Sequence, residues 1–198
     1  MKTTISLSAP AEVETESLVA VVLDHAEPAP SEKEKDKKPE LKVASADPAV
    51  QSVAADLLAS GEVAGKPLET NLMHRPVTLM AKRLLLVSGG NAKKFSSYDL
   101  RRVAGTAVRA LKSRGIRSFA FVAPPSLPVE EAVRAIIEGA FVGNFDPDYY
   151  RSDRKDQKID DLTIVLAAGD EVRLKRAAGE AQIVGESQNF TRDLVNEP

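Results

Sequence analysis

The sequence contains no cysteine in 198 residues and only two histidines, His25 and His74. Without thiols there is no disulfide and no thiolate metal site. Two isolated histidines leave little for a histidine zinc site or for a Ser-His or Cys-His nucleophile. Long apolar runs are missing too: the best, at residues 18–23 and 84–87, fall far short of the roughly 20 residues a membrane-spanning helix needs. Behind Lys2 there is no continuous apolar segment of the kind a secretory signal requires, and Glu12, Glu14 and Glu16 follow closely. The chain therefore reads as unexported and cytoplasmic.

What is present is ordinary for a soluble globule. Hydrophobic residues make up 43% and charged residues 28%, enough to bury a core and to argue against wholesale disorder. The length favours one domain. Charge is uneven along the chain. Residues 82–117 carry ten basic side chains (Lys82, Arg83, Lys93, Lys94, Arg101, Arg102, Arg109, Lys112, Arg114 and Arg117) against the single acid Asp99, although the formal net charge is −2. Such a segment reads either as a polyanion-binding face or as the solvated outer side of an amphipathic helix.

Residues 3–7 and 18–24 read as strands, the second apolar enough to be buried on both faces, and the two are expected to pair. Residues 26–47 shift to Pro, Ala, Ser and alternating charge, with nothing apolar at the centre to offset the entropy of ordering; they read as a flexible insertion. Asp47 followed by Pro48 opens a helix carrying Val50, Val53, Ala54, Leu57 and Leu58, ended by Gly61. Residues 69–73 and 82–87 read as strands, the latter running into a flexible turn, Ser88-Gly89-Gly90-Asn91. Ser96 and Asp99 form a capping-box pattern ahead of a helix with Leu100, Val103, Ala104, Ala107, Val108 and Leu111 on its apolar stripe. A strand at 118–123 and a helix from Pro128 to Gly143 follow. A polar loop over 144–153, a strand at 162–167 and a last helix from Asp170 complete the pass. Strands alternating with amphipathic helices imply right-handed crossovers and a largely parallel sheet covered on both faces.

Three groups are candidates for binding. The turn Ser88–Asn91 follows a strand, where open parallel sheets gather ligands, yet it has neither phosphate-loop spacing, so a plain glycine turn is the simpler reading. Asp146, Asp148, Asp153, Asp156, Asp160 and Asp161 could hold a hard cation, but their spacing does not match a calcium loop and solvated loop acids explain them as well. His25 and His74 each lack a second histidine at helical spacing and read as core-edge or surface residues.

Two stretches carry a resemblance. Ser187-Gln-Asn-Phe-Thr-Arg-Asp-Leu-Val-Asn-Glu-Pro198 resembles the linker of the leucyl (cytosol) aminopeptidase family, whose pattern Asn-x-x-Arg-Asp-Leu-x-Asn-x-Pro is met by Asn189, Arg192, Asp193, Leu194, Asn196 and Pro198. Glu138-Gly-Ala-Phe-Val-Gly-Asn-Phe-Asp146, with Tyr150-Arg-Ser152, resembles a second stretch of that family, with Val142 and Arg151 as mild departures. The resemblance covers the second half of the chain well and the first 80 residues poorly.

It implies a macro-domain-like three-layer α/β/α fold with a mixed, largely parallel sheet over residues 1–186, and the start of a linker at 187–198. It also implies a larger C-terminal domain, beyond these residues, that holds two divalent metals, zinc or manganese, and a homo-hexameric assembly. The family's Asn-Thr-Asp-Ala-Glu-Gly-Arg signature does not occur in these residues, so no catalytic, cofactor-binding or metal residue is assigned and the isolated chain is expected to be inactive. The expectation is thus a non-catalytic domain with an assembly or regulatory role. The alternative is a free-standing module binding nucleic acid through residues 82–117, or an ADP-ribose-type nucleotide at Ser88–Asn91.

Overall fold

The computed structural model describes residues 1–27, 39–149, 152, 153, 155 and 157–197. In chain order its strands and helices are β1 (Lys2–Ser6), β2 (Leu18–Asp24), β3 (Leu41–Val43), α1 (Pro48–Ala59), β4 (Thr70–His74) and β5 (Arg83–Asn91). They continue with α2 (Ser97–Lys112), β6 (Ser118–Val122), α3 (Val129–Asn144), β7 (Asp161–Val165) and α4 (Glu171–Asn196). One mixed sheet runs in the order β1-β7-β6-β2-β5-β4, with β3 attached to β2. β1, β7, β6, β2 and β5 are parallel, while β4 and β3 are antiparallel to their partners.

The centre is β2. Leu18 to Val22 are fully buried, because β2 has strands on both edges and helices over both faces. β5 flanks it along its whole length. On the other edge β6 pairs only at Leu18↔Ala120 and Val19↔Phe121, and β3 takes over at Val22↔Val43. One face of the sheet is covered by α2, α3 and α4 around Val103, Phe119, Phe121, Ile136 and Leu174. The other is covered by α1 together with Leu79 and Ala81. The result is the expected three-layer α/β/α sandwich.

Local chemistry sets the helix starts. The Asp47 carboxylate accepts from the Ala49 and Val50 N–H groups, at 2.9 and 3.2 Å, and also from Ala11 N–H at 3.1 Å, so one cap starts α1 and ties down the segment after β1. Ser96 and Asp99 cap each other's backbone at the start of α2. Asp170 accepts from Arg173 N–H at the start of α4. A further carboxylate acts between strands: Glu16 Oε2 accepts from the Arg117 and Ser118 N–H groups at 2.8 and 3.0 Å. The Arg117 N–H is the main cause that holds this carboxyl below its ordinary value, against the opposing effect of burial.

α2 and α3 meet through glycines. A side chain at Gly139 would collide with the Arg101 carbonyl, and one at Gly143 would place its Cβ 2.6 Å from the Gly105 carbonyl oxygen. At Gly185 on α4 the same atom would lie 2.7 Å from Phe141 Cβ. α2 and α3 therefore approach to backbone contact and α4 seats a glycine on the Phe141 side chain, which no larger residue at these positions would allow.

Four expectations are corrected. β1 does not pair with β2 but lies beside β7 at the far edge; its partly exposed Lys2, Thr3 and Thr4 suit an edge, whereas the wholly apolar β2 requires the centre. Within 26–47, residues 41–43 form β3, because Leu41 and Val43 bury apolar surface where β6 diverges from β2; residues 28–38 lie outside the described residues. Ser88–Asn91 is not a turn but the end of β5. Gly143 does not stop α3, which runs to Asn144, because that glycine serves the contact with α2.

Candidate functional site

The two stretches that carry the family resemblance are some forty residues apart and meet at the end of α3. The last carbonyls of a helix lack internal partners, and α3 has no basic residue in its own last turn. Its neighbours supply the donors. Asn189 Nδ2 donates to the Phe141 carbonyl at 2.8 Å, and Arg192 Nη1 to the Val142 carbonyl at 3.1 Å. From α2, Lys112 Nζ donates to the Phe145 carbonyl at 2.9 Å. Two of the three donors are cationic, which complements the negative end of the helix dipole. The Arg192 guanidinium also lies 3.8 Å from the centre of the Phe145 ring. Burial pushes the Lys112 ammonium below its ordinary pKa, with nearby Asp146 acting in the opposite direction.

One turn earlier, Arg101 of α2 bridges both partners. Its Nη1 lies 3.1 Å from Glu138 Oε2 on α3 and its Nη2 donates to Gln188 Oε1 on α4 at 2.6 Å. The motif residues 187–196 are thus helical, as the second half of α4, and their side chains clamp that half to α3. A cavity of about 480 Å³ beside the clamp is lined by Arg109, Lys112, Phe145, Asp146 and Arg192, among others. The opposite side of α4 is bare: Ile183, Phe190 and Leu194 are 66, 63 and 56% exposed. Their spacing places them in one line away from the buried Leu174, Ala177, Ala181 and Gly185. The clamp was readable in part as a motif. Glu138 stood in the second of those stretches, whereas Arg101 and Lys112 were visible only as members of the basic segment, since nothing local marks a donor for another helix.

The other candidates are spread over the molecule. At Ser88–Asn91 the polar groups are already engaged: Ser88 Oγ donates to the Gly65 carbonyl at 3.0 Å, and Asn91 Nδ2 donates to the Ala26 carbonyl at 3.1 Å. Gly89 is the extra residue of a bulge against β2, and a Cβ there would press into Phe95 and Leu23. No phosphate cradle is formed at this place. His25 lies just past the end of β2 and His74 ends β4 opposite Arg83, at opposite ends of the sheet, both exposed. Of the aspartates, Asp160 pairs with Arg117 at 3.2 Å and Asp161 begins β7, while Asp146 turns back to the Asp148 N–H and Asp153 lies in the loop between; Asp156 lies outside the described residues. Among the described residues no group of three or more His, Asp or Glu side chains could hold a metal ion. The two divalent metals implied by the resemblance therefore have no fitting donor set in the described residues.

The basic segment does not form one face. Lys82 and Arg83 lie at the start of β5, Lys93 and Lys94 beyond its end, about 27 Å away at strand rise. Arg101 is held by Glu138, Arg102 lies 3.9 Å from Asp99, and Lys93 Nζ pairs with Glu27 at 3.0 Å. No helix among the described residues is long and apolar enough to cross a membrane.

The fold and the clamp define a three-layer α/β domain whose last helix is fixed along one side and bare along the other. The model of the cytosol aminopeptidase family N-terminal domain matches residues 7–154. The chain belongs to the cytosol aminopeptidase family, as its N-terminal domain. It is 44% identical to a probable cytosol aminopeptidase of Koribacter versatilis and 39% identical to one of Acidobacterium capsulatum, in each case over 100% of this chain and 40% of the relative. The chain thus spans about 40% of the length of these relatives. Among solved structures, a tomato leucine aminopeptidase mutant superposes with a TM-score of 0.73 over 100% of this chain and 38% of that one, at 20% identity. The bottromycin maturation enzyme BotP in complex with Mn gives 0.61 over 93% of this chain and 32% of that one, also at 20% identity. These two likenesses show the fold.

Proposed function

We propose that this chain is the non-catalytic N-terminal domain of a cytoplasmic, metal-dependent aminopeptidase, and that it acts by holding and assembling the part that performs the chemistry. In this reading the release of N-terminal amino acids from peptides, and the two divalent metals, zinc or manganese, belong to the remaining 60% or so of the length seen in the relatives. The observation that carries it is the two-sidedness of α4. Residues Asn189 and Arg192 fix the second half of the helix on α3, while Ile183, Phe190 and Leu194 present an apolar line about 16 Å long on the far side. That line is the surface on which the larger part rests. The assembly is a homo-hexamer, as the family resemblance implies.

The test uses two proteins, the 198-residue chain and the same chain joined to the C-terminal part of its Koribacter versatilis relative. The chain alone is expected to leave leucine p-nitroanilide unhydrolysed with added manganese or zinc; turnover by the clean protein overturns the reading. The joined protein is expected to hydrolyse it and to sediment as a hexamer. Phe190→Glu should lower the melting temperature of the joined protein and leave that of the chain alone unchanged. Equal effects on both would show that the far side of α4 carries no partner.

A further inference from the structure

Open parallel sheets form a crevice outside the C-terminal ends of two neighbouring strands whose connections leave to opposite faces. β2 and β6 are such a pair. From β2 the chain passes through β3 to α1 on one face of the sheet, and from β6 it passes to α3 on the other. The two strands pair at Leu18↔Ala120 and Val19↔Phe121 and then part, and Ala44 N–H takes the Val21 carbonyl where β6 has left. At this fork lies a cavity of about 540 Å³, a size within the range of ligand-binding clefts. Its walls are apolar: Val122, Pro124 and Leu127 at the end of β6, Leu166 at the end of β7, and Leu7 and Pro10 after β1.

Three polar features border the cavity. The Asp47 carboxylate is fixed by its bonds from Ala49, Val50 and Ala11 N–H, and among the described residues its Oδ2 accepts one of them, which leaves room for a further donor. Ser45 is 5% exposed; its Oγ accepts from Asp47 N–H at 3.2 Å, and its own proton goes to no acceptor among the described residues. The third is the start of α3. It has no side-chain cap, and its first internal bond is donated by Ala132 N–H, so the N–H groups of Val129, Glu130 and Glu131 have no partner within the helix. Val129 lines the cavity. A carboxylate and the positive end of a helix therefore border one apolar space.

That combination restricts the ligand. No Lys or Arg lines the cavity among the described residues, and Glu130 and Glu131 stand in the first turn of α3, so the charge of a phosphate would go unmatched. A molecule with one ammonium, one carboxylate and an apolar body matches both ends and the walls between them. We propose that this cavity binds a free apolar amino acid. Its ammonium donates to Asp47, its carboxylate accepts from the Ser45 hydroxyl and the first-turn N–H groups of α3, and its side chain packs against Pro124, Leu127 and Leu166. The inference rests neither on what covers α4 nor on which reaction the longer relatives perform.

The experiment titrates the ¹⁵N-labelled chain with L-leucine and follows its amide resonances. Saturable shifts are expected at residues 45–47, 123–129 and 166–168, with a Kd of about 0.1–5 mM. 4-Methylpentanoate, which lacks the ammonium, and 3-methylbutylamine, which lacks the carboxylate, should each bind at least about tenfold more weakly. Asp47→Asn keeps an oxygen for the α1 cap and removes the charge; it should weaken leucine about tenfold and leave 4-methylpentanoate unweakened, a split that a merely structural role would not produce. Ala168→Trp fills the cavity from an exposed position on its rim and should abolish the shifts. If Asp47→Asn unfolds the chain, the ligand series and Ala168→Trp carry the test. Absence of saturation by about 20 mM leucine overturns the proposal. So do shifts centred elsewhere, equal binding of all three ligands, or tighter binding of ADP-ribose than of leucine, which would give the cavity to a nucleotide.

Discussion

The two faces of the sheet are built on different principles. Over one, α2 and α3 approach until backbone meets backbone at Gly105, Gly139 and Gly143, α4 closes at Gly185 on the Phe141 side chain, and side chains of one helix cap the end of another. Over the other, α1 and the segment around Leu79 cover the sheet through the apolar packing of Val50, Val53, Ala54 and Leu79, and the Asp47 carboxylate caps α1 and accepts one bond from outside it, from Ala11 N–H. The difference teaches where the molecule tolerates change. A seam of interlocked backbones fails when anything is added, whereas a layer of ordinary apolar packing started by one cap weakens when a group is taken away.

Substitutions can break or sharpen this contrast. The largest effect is expected from Gly139→Leu, which drives a side chain into the Arg101 carbonyl; a loss of more than about 3 kcal/mol is expected, measured by urea unfolding. A loss below about 1 kcal/mol would show that the seam can open and that the contrast is overdrawn. Next comes Arg192→Ala, which removes a cation and a donor from the end of α3 together with its packing on Phe145. A loss of about 1–2 kcal/mol is expected. On the thinner face, Asp47→Ala should cost about 1 kcal/mol, and should also raise the protease sensitivity of the segment after β1, because Ala11 N–H loses its partner with the cap.

The smallest effect is a pH dependence that belongs to neither face. Glu16 joins the entry of β2 to the start of β6, and its carboxyl is held below its ordinary value of 4.5, chiefly by the Arg117 N–H. A group with a depressed folded pKa stabilises the fold above its unfolded value, and that contribution is lost as pH falls through the folded value. The melting-temperature difference between the wild type and Glu16→Gln should therefore be largest near neutrality and shrink as pH falls below 4.5. A difference that stays constant down to about pH 3 would remove Glu16 from the linkage.

What was legible in the sequence was what local chemistry decides. Asp47-Pro48, the Ser96/Asp99 box and Asp170 start their helices where the residues said they would, and the apolar run of β2 lies at the centre of the sheet. What was not legible depends on distant partners. The place of β1 next to β7 depends on residues about 160 positions away, and a doublet such as Gly89-Gly90 reads as a turn until Phe95 and Leu23 close over it. Gly143 carries the usual sign of a helix end, yet its meaning comes from the α2 backbone that it touches. Of the candidate site, Asn189 and Arg192 stood out as parts of a motif. The carbonyls they cap lie about fifty positions earlier, and neither those nor Arg101 could be joined to them without the fold.

The handover on the edge of β2, where β6 leaves and β3 arrives, has a consequence for how the molecule breathes. Residues 18–24 are bonded on one side by β5 along their whole length, with one bulge at Gly89, and on the other by β6 at Leu18 and Val19 and by β3 from Val22 to Asp24. Freeing an amide proton of β2 to exchange with solvent requires several elements to separate at once, so these amides should exchange only through global opening. The edge strands β1 and β4 have one partner each among the described residues and can fray without disturbing that centre. The slowest protons of β2 would then report the full unfolding free energy, and a bound partner would be registered first at the rim.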